Sequence, residues 1–301
     1  MLALATGSAA VTVAIAGSHA VIGTGVAVAQ GAPVVLPAPM VAHTTPAPVP
    51  VSNGAPVRAA NGCINVPMLY YHYIRINPTA RDRLGYQLSV TPQNFQMQMD
   101  WLRAAGAHTV TLAQVMSALN GGPELLSHPV VLTFDDGYAD FATAATPILV
   151  RDGFVGTDFV VPGFLGTSDY MTKDQVLDVA SQGMVIGAHT MHHVKLTSVP
   201  SQVAAAEISS SKAALEQLLG VTVDDFAYPF GAASPAVESM VQAAGFRDAS
   251  ATTWGTEQCT GNRFALHRLE VVGGLGLAAF AQAAGVTAPP PRWVDPGPPT
   301  A

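Results

Sequence analysis

The densest group of residues able to do chemistry is Thr133-Phe134-Asp135-Asp136-Gly137. Two adjacent carboxylates follow the apolar run Pro129–Phe134, which reads as a buried strand. Successive side chains point to opposite faces of a strand, so the two Asp can take different tasks. One can hold a metal and the other can take a proton, although Asp-Asp-Gly is also ordinary turn chemistry. A second group, His189-Thr190-Met191-His192-His193, follows the apolar run Val185–Ala188. His189 and His193 are four apart, a spacing that puts two imidazoles on one face of a helical turn. His192 would project about 100° away from His193 on such a turn. Two His and one Asp with an open position suit zinc or another divalent ion that holds a water.

Three weaker features accompany these. The turn Tyr228-Pro229-Phe230-Gly231 can offer a backbone N–H to an oxyanion, with apolar rings lining a pocket. His72 sits inside Tyr70-Tyr71-His72-Tyr73, where a lone His among aromatics is usually a core residue. His267-Arg268 lies between Leu266 and Leu269, and an Arg there could pair with a buried Asp.

Short β-rich runs alternating with helical stretches must position these groups. Strands are expected at Val66–Ile74, Thr109–Leu112, Pro129–Phe134, Thr157–Val161, Val185–Ala188, Phe226–Tyr228, Asp248–Thr253 and His267–Val272. Helices are expected from Pro92, with Thr91 as N-cap, over Leu112–Asn120, over Phe141–Asp152 with a break near Pro147, and over Thr172–Gln182 with a capping box. Ser201–Leu219, closed by Gly220, and Pro235–Ala244 complete the helical set. Strand alternating with helix implies an α/β fold with a parallel sheet, open or closed into a barrel. In either form functional groups gather where strands end, and several of the polar groups above sit at expected strand ends.

Charge is scarce and unevenly distributed. Charged residues make up 11% of the 301 and the formal net charge is −7. Residues 1–60 hold a single charged residue, Arg58. Residues 2–29 are apolar or small and end in Val26-Ala27-Val28-Ala29-Gln30, a small-x-small pattern cleavable after Ala29. Residues 1–30 are therefore expected to be a signal peptide or membrane anchor, and length permits either. Residues 31–62 read as a Pro-rich linker, 63–285 as the folded domain and 286–301 as a disordered Pro-rich tail. The acidic balance leaves no basic footprint for nucleic acid. In an exported chain the two cysteines, Cys63 and Cys259, make a plausible disulfide.

Taken together, the ordered motifs resemble the polysaccharide deacetylases with a NodB-homology domain, carbohydrate esterase family 4. Thr133–Gly137, the His189–His193 group and Tyr228–Gly231 carry the resemblance. The run Val66-Pro67-Met68-Leu69-Tyr70-Tyr71-His72 looks like the branch that deacetylates poly-N-acetylglucosamine. The resemblance covers roughly 64–275 and implies a distorted (β/α) barrel of about seven parallel strands. It also implies a hydrolase that releases acetate from an N-acetylated extracellular or cell-wall polysaccharide, using a divalent metal, with zinc the best fit. By this correspondence Asp135 is the base, Asp136, His189 and His193 hold the metal, and the Phe230 N–H meets the oxyanion. His72 is the acid, with His267 the alternative. The family's Arg-Pro-Pro-Tyr form has Ala227-Tyr228-Pro229 here, so Asp135 needs another cationic partner, and Arg268 is the candidate. Tyr228, Pro229 and Trp254 are expected at the substrate. The implied protein is an exported monomer, secreted or anchored at the outer face of the cytoplasmic membrane. Two rival readings are a glycan-binding module and a deacetylase of a small acetamide. A binding module would lack a ligand or the base, and all four positions are filled.

Overall fold

The computed structural model describes residues 54–79 and 81–286. The segment expected to be a signal peptide or anchor, most of the expected linker, and the expected tail beyond Val286 lie outside the described residues. In chain order the elements are β1 Cys63–Asn65, β2 Met68–Tyr71, β3 Tyr73–Ile74, α1 Arg83–Leu88, β4 Ser89–Val90, α2 Pro92–Ala104, β5 His108–Thr109 and α3 Leu112–Leu119. Then come β6 Pro129–Asp136, α4 Thr146–Asp152, β7 Thr157–Val160, α5 Lys173–Ser181, β8 Val185–Ala188, α6 Ser201–Leu219 and β9 Asp225–Ala227. The chain closes with α7 Pro235–Ala243, β10 Asp248–Ser250, β11 Glu257–Cys259, β12 Leu269–Glu270 and α8 Leu277–Ala283.

Local chemistry sets the boundaries. The Thr91 hydroxyl accepts the Asn94 N–H at the start of α2, and Pro92 occupies its first turn. Thr172 and Gln175 close a reciprocal capping box on α5. Gly220 ends α6 in the left-handed region. Before α4 the chain takes a wide π turn, Phe141–Ala145, and Pro147 stands in the first turn of α4. A proline lacks the N–H that the preceding turn would need, so the break falls just ahead of it.

Seven strands form one parallel sheet in the order β10-β9-β8-β7-β6-β2-β12, and β5 pairs the start of β6. The sheet curls until its edges meet across residues 266–268. Ser250 bridges Leu266, and the Arg268 N–H donates to the Thr253 carbonyl at 3.0 Å. All eight residues of β6 are buried. Val130, Leu132 and Phe134 face the helical layer, with Phe95 and Met99 of α2 in the same core. Val131 belongs to the core inside the curl, with Met68, Phe159, Ala227 and Leu266. Strand alternation produces this split and sends Asp135 to the inner side.

Register lines up the carboxyl ends of the strands. Tyr71 is level with Phe134, Asp136 with Val160, Val160 with Ala188, and Ala188 with Phe226. His72, Asp135, Asp136, His189 and the Tyr228 turn therefore emerge at one rim.

Several boundaries differ from the sequence expectation. The strand expected over Val66–Ile74 breaks at His72, where β2 stops and β3 begins. The strand expected over Thr109–Leu112 reduces to His108–Thr109, because Thr111 caps α3. The last two strands shorten to Asp248–Ser250 and Leu269–Glu270. Residues 54–62 begin to pair before the expected domain start, with Val57 and Leu125 exchanging both backbone hydrogen bonds. β1 pairs antiparallel with β11, and Cys63 and Cys259, opposite one another, form a disulfide. Among the described residues no helix is long and apolar enough to cross a membrane.

Asp225 and Asp248 face each other where β9 and β10 begin, and both are buried. Burial pushes the Asp225 carboxyl up to about 6 and the Asp248 carboxyl well above the carboxylate range, where the Asp225 charge adds to the effect. The folded state then binds a proton that the unfolded chain has already released. Stability from this pair is full below the unfolded value near 4 and falls as pH rises through about 6. In metal-free protein the urea midpoint of Asp248→Asn, taken relative to the native midpoint at each pH, should rise between about pH 4.5 and 7, a difference in which the opposite contribution of His189, lowered to about 4, cancels. A difference that stays flat with pH would refute the assignment.

Candidate active site

The rim brings together groups from four strands. Asp136, His189 and His193 each offer a ligand atom, and these atoms lie within 4.8 Å of one another. The Asp136 Oδ1 is 3.2 Å from His193 Nε2 and 3.5 Å from His189 Nε2. This oxygen is buried and has no hydrogen-bond partner. The His189 Nδ1 lies 2.8 Å from the Ala227 carbonyl oxygen. A carbonyl can only accept, so Nδ1 carries the proton and Nε2 presents its lone pair toward Asp136. Burial lowers His189 to about 4 against the pull of Asp135 and Asp136, so the ring is neutral at pH 7, the form that binds metal. An orphaned carboxylate oxygen, an oriented neutral imidazole and a second imidazole fit a divalent ion with one position open, and the N/O donor set suits zinc.

The spacing of four does not work through a helix. Residues 189–193 form a turn in which Thr190 (φ 61) and His193 (φ 55) are left-handed. Asp136 (φ 84) and Phe230 (φ 61) share that conformation, so four of the six non-glycine residues with positive φ among those described belong to this rim. Such backbone persists only where surroundings hold it. Helix α6 holds the histidine turn, and sequence reasoning missed the residue responsible. The Glu207 carboxylate accepts the His192 backbone N–H at 2.8 Å and lies 2.9 Å from its ring Nδ1. The Glu207 carbonyl accepts the Met191 N–H. On the other side the turn presses on Gly163, where an added Cβ would lie 2.4 Å from the Met191 oxygen. No linear pattern marks Glu207, because its partner is 15 residues away.

Asp135 is gripped by Arg268. Nη1 donates to Oδ1 at 2.7 Å and Nη2 to Oδ2 at 2.8 Å. The same guanidinium donates to Thr133 Oγ1 and the Ala251 carbonyl, and lies over the Tyr70 ring. Burial alone would raise the Asp135 carboxyl, but Arg268, helped by His189, holds it below its ordinary value. Asp135 is thus an ionised carboxylate held next to the Asp136–His189–His193 cluster. His72 directly follows β2, whose last residue Tyr71 is level with Phe134, so it stands at the same rim as the Asp pair, with its ring edge-on to Tyr70. His267 instead packs against Gly255 and has its Nε2 3.4 Å from the Asn262 amide.

The remaining expected site residues separate. Phe230 is 66% exposed, and its ring centroid is 4.8 Å from that of His193. Trp254 is 82% exposed, next to the Thr253 carbonyl that accepts Arg268. Tyr228 and Pro229, expected at the substrate, are buried instead. The Tyr228 hydroxyl donates to the Phe264 carbonyl at 2.7 Å, and its ring packs on Phe226. They shape the turn that presents Phe230, because their side chains continue β9 into the core.

The family model for polysaccharide deacetylase matches residues 124–249, which include the Asp pair, the histidine turn and the Phe230 turn. Residues 124–249 thus match a polysaccharide deacetylase domain. The family match and the relatives below support a hydrolase acting on amide C–N bonds. The Bacillus subtilis (strain 168) protein YxkH is 27% identical over 215 residues, 71% of this chain and 74% of that one. A segment of 62 residues is 45% identical to the poly-beta-1,6-N-acetyl-D-glucosamine N-deacetylase of Escherichia coli K12, covering 21% of this chain and 9% of that protein. The deacetylase PplD of Streptococcus pyogenes, solved with acetate, shares the fold with a TM-score of 0.68 at 24% identity, over 73% of this chain and 98% of its own.

The metal set can be tested by binding alone. Calorimetric titration of zinc should show Asp136→Ala and His193→Ala weakened at least about 100-fold. Glu207→Ala should weaken binding about 10-fold, because the turn between His189 and His193 loses its hold on α6 through His192. Native affinity in Asp136→Ala would contradict the site.

Proposed function

We propose that the protein hydrolyses the acetamide of N-acetylglucosamine units in an extracellular or cell-wall polysaccharide, releasing acetate and leaving a free amine. The observation that carries this reading is the Arg268-held Asp135 beside the Asp136–His189–His193 cluster. A divalent ion, zinc by its donor set, held by those three residues would supply Lewis-acid polarisation of the acetamide carbonyl and of a water. Asp135 accepts a proton from that water as its oxygen bonds to the carbonyl carbon. The backbone N–H of Phe230 donates to the oxygen on which negative charge develops. The C–N bond then breaks, and a protonated His72 delivers its proton to the departing nitrogen. Arg268 touches neither water nor substrate in this scheme. Its role is to keep Asp135 ionised and aimed.

Several features support the substrate and location. The exposed rings of Phe230 and Trp254 offer faces on which sugar C–H groups can pack. The segment similar to the Escherichia coli enzyme favours a β-1,6-linked poly-N-acetylglucosamine. The Cys63–Cys259 disulfide suits an oxidising compartment, and the uncharged residues 2–29 suit export or anchoring at the outer face of the cytoplasmic membrane. The protein acts as a monomer on this reading and needs no nucleic acid.

Acetate release from oligomers of poly-N-acetylglucosamine, peptidoglycan and chitin tests it. The first should give the most acetate, a chelator should abolish release, and added zinc should restore it. No acetate from any of the three would overturn the proposal.

A further inference from the structure

We propose that Gln258 is a positioning residue that fixes Arg268, and through it Asp135, with the Cys63–Cys259 disulfide setting its register. Gln258 lies in β11, a short strand of a two-stranded ribbon, yet it is fully buried. Its Nε2 donates to the Val66 carbonyl at 3.2 Å and to the His267 carbonyl at 3.0 Å. Its Oε1 accepts the His267 backbone N–H at 3.0 Å. One amide therefore takes both backbone groups of the residue preceding Arg268 and ties them to the start of β2. At His267 itself both backbone groups bond to this amide, while its neighbours in segment 266–268 bond elsewhere. This segment is the seam where β10 and β12 meet, with backbone bonds to Ala249, Ala251 and Thr253.

The disulfide explains why this amide is in place. Cys63 is opposite Cys259 in the ribbon, and Ile64 is opposite Gln258. A slip of one residue would turn Gln258 to the other face of β11. The covalent link at the adjacent position forbids that slip. The chain of contacts runs from Cys63–Cys259 to Gln258, to the His267 peptide groups, to Arg268 and to Asp135. Small displacements of a general base cost rate steeply, so the seam bears on turnover without touching substrate. This role rests on Asp135 as the proton acceptor.

A double-mutant cycle on kcat tests it, with Gln258→Leu made in the native protein and in Arg268→Lys. In the native protein Gln258→Leu should lower kcat about 10-fold, with KM and zinc affinity within about twofold. In Arg268→Lys it should lower kcat less than about twofold further, because the group it positions is already lost. The same 10-fold loss in both backgrounds, or no loss in the native one, overturns the proposal. Should Gln258→Leu fail to fold, Gln258→Asn, which keeps the amide but draws it back by one bond, is read the same way. A native kcat in Arg268→Lys likewise overturns the proposal, whereas a native kcat in Asp135→Asn marks failure of the Asp135 reading itself. A slow Arg268→Lys with additive losses marks failure of the Gln258 role alone.

Discussion

A guanidinium with no exposed side-chain surface grips a carboxylate 133 residues earlier in the chain. Taking both charges out of water is costly. The pair is tolerable only because each hydrogen-bonding atom of Asp135 and most of those of Arg268 are satisfied. Removing one partner would leave the other charged and buried, a loss of about 3–5 kcal/mol. The planar fork matches both carboxylate oxygens, which a lysine could not do. The same contact ties segment 266–268 into the curl of the sheet, so closure of the fold and ionisation of Asp135 are one interaction.

The neighbouring carboxylate solves a different problem. Asp135 faces an arginine, whereas Asp136 faces two imidazoles. Adjacent positions on β6 reach these different partners because alternation separates them and the left-handed φ of Asp136 ends the strand there. Strained backbone at Asp136, Thr190, His193 and Phe230 is held by well-ordered elements: β6, α6 through Glu207, and the buried Tyr228 turn. Stability invested in those elements maintains a rim that would not hold its shape alone.

Much of this was legible in the sequence. Thr91, Thr172 and Gly220 mark helix ends by chemistry that acts within a few residues, and the structure uses each one. The apolar run into Asp135-Asp136-Gly137 has one simple reading, a buried strand that ends in a polar rim. What escaped depends on contacts far apart in the chain. Glu207 and Gln258 carry no local signature, because their partners are set by tertiary packing. Tyr228 and Pro229 misled because an aromatic beside a functional turn looks the same in sequence whether it faces substrate or core. The helical turn expected for His189 and His193 misled as well, since spacing of four is equally met by a turn with two left-handed residues.

The central claim is that two adjacent carboxylates divide the work, Asp136 holding the ion and Asp135 taking the proton. Asp135→Asn tests it most directly, with zinc affinity and acetate release measured on the same preparation. Zinc affinity should stay within about threefold of native and turnover should fall at least about 100-fold, in the range of a lost general base. Native turnover in Asp135→Asn, or loss of zinc together with activity, would contradict it.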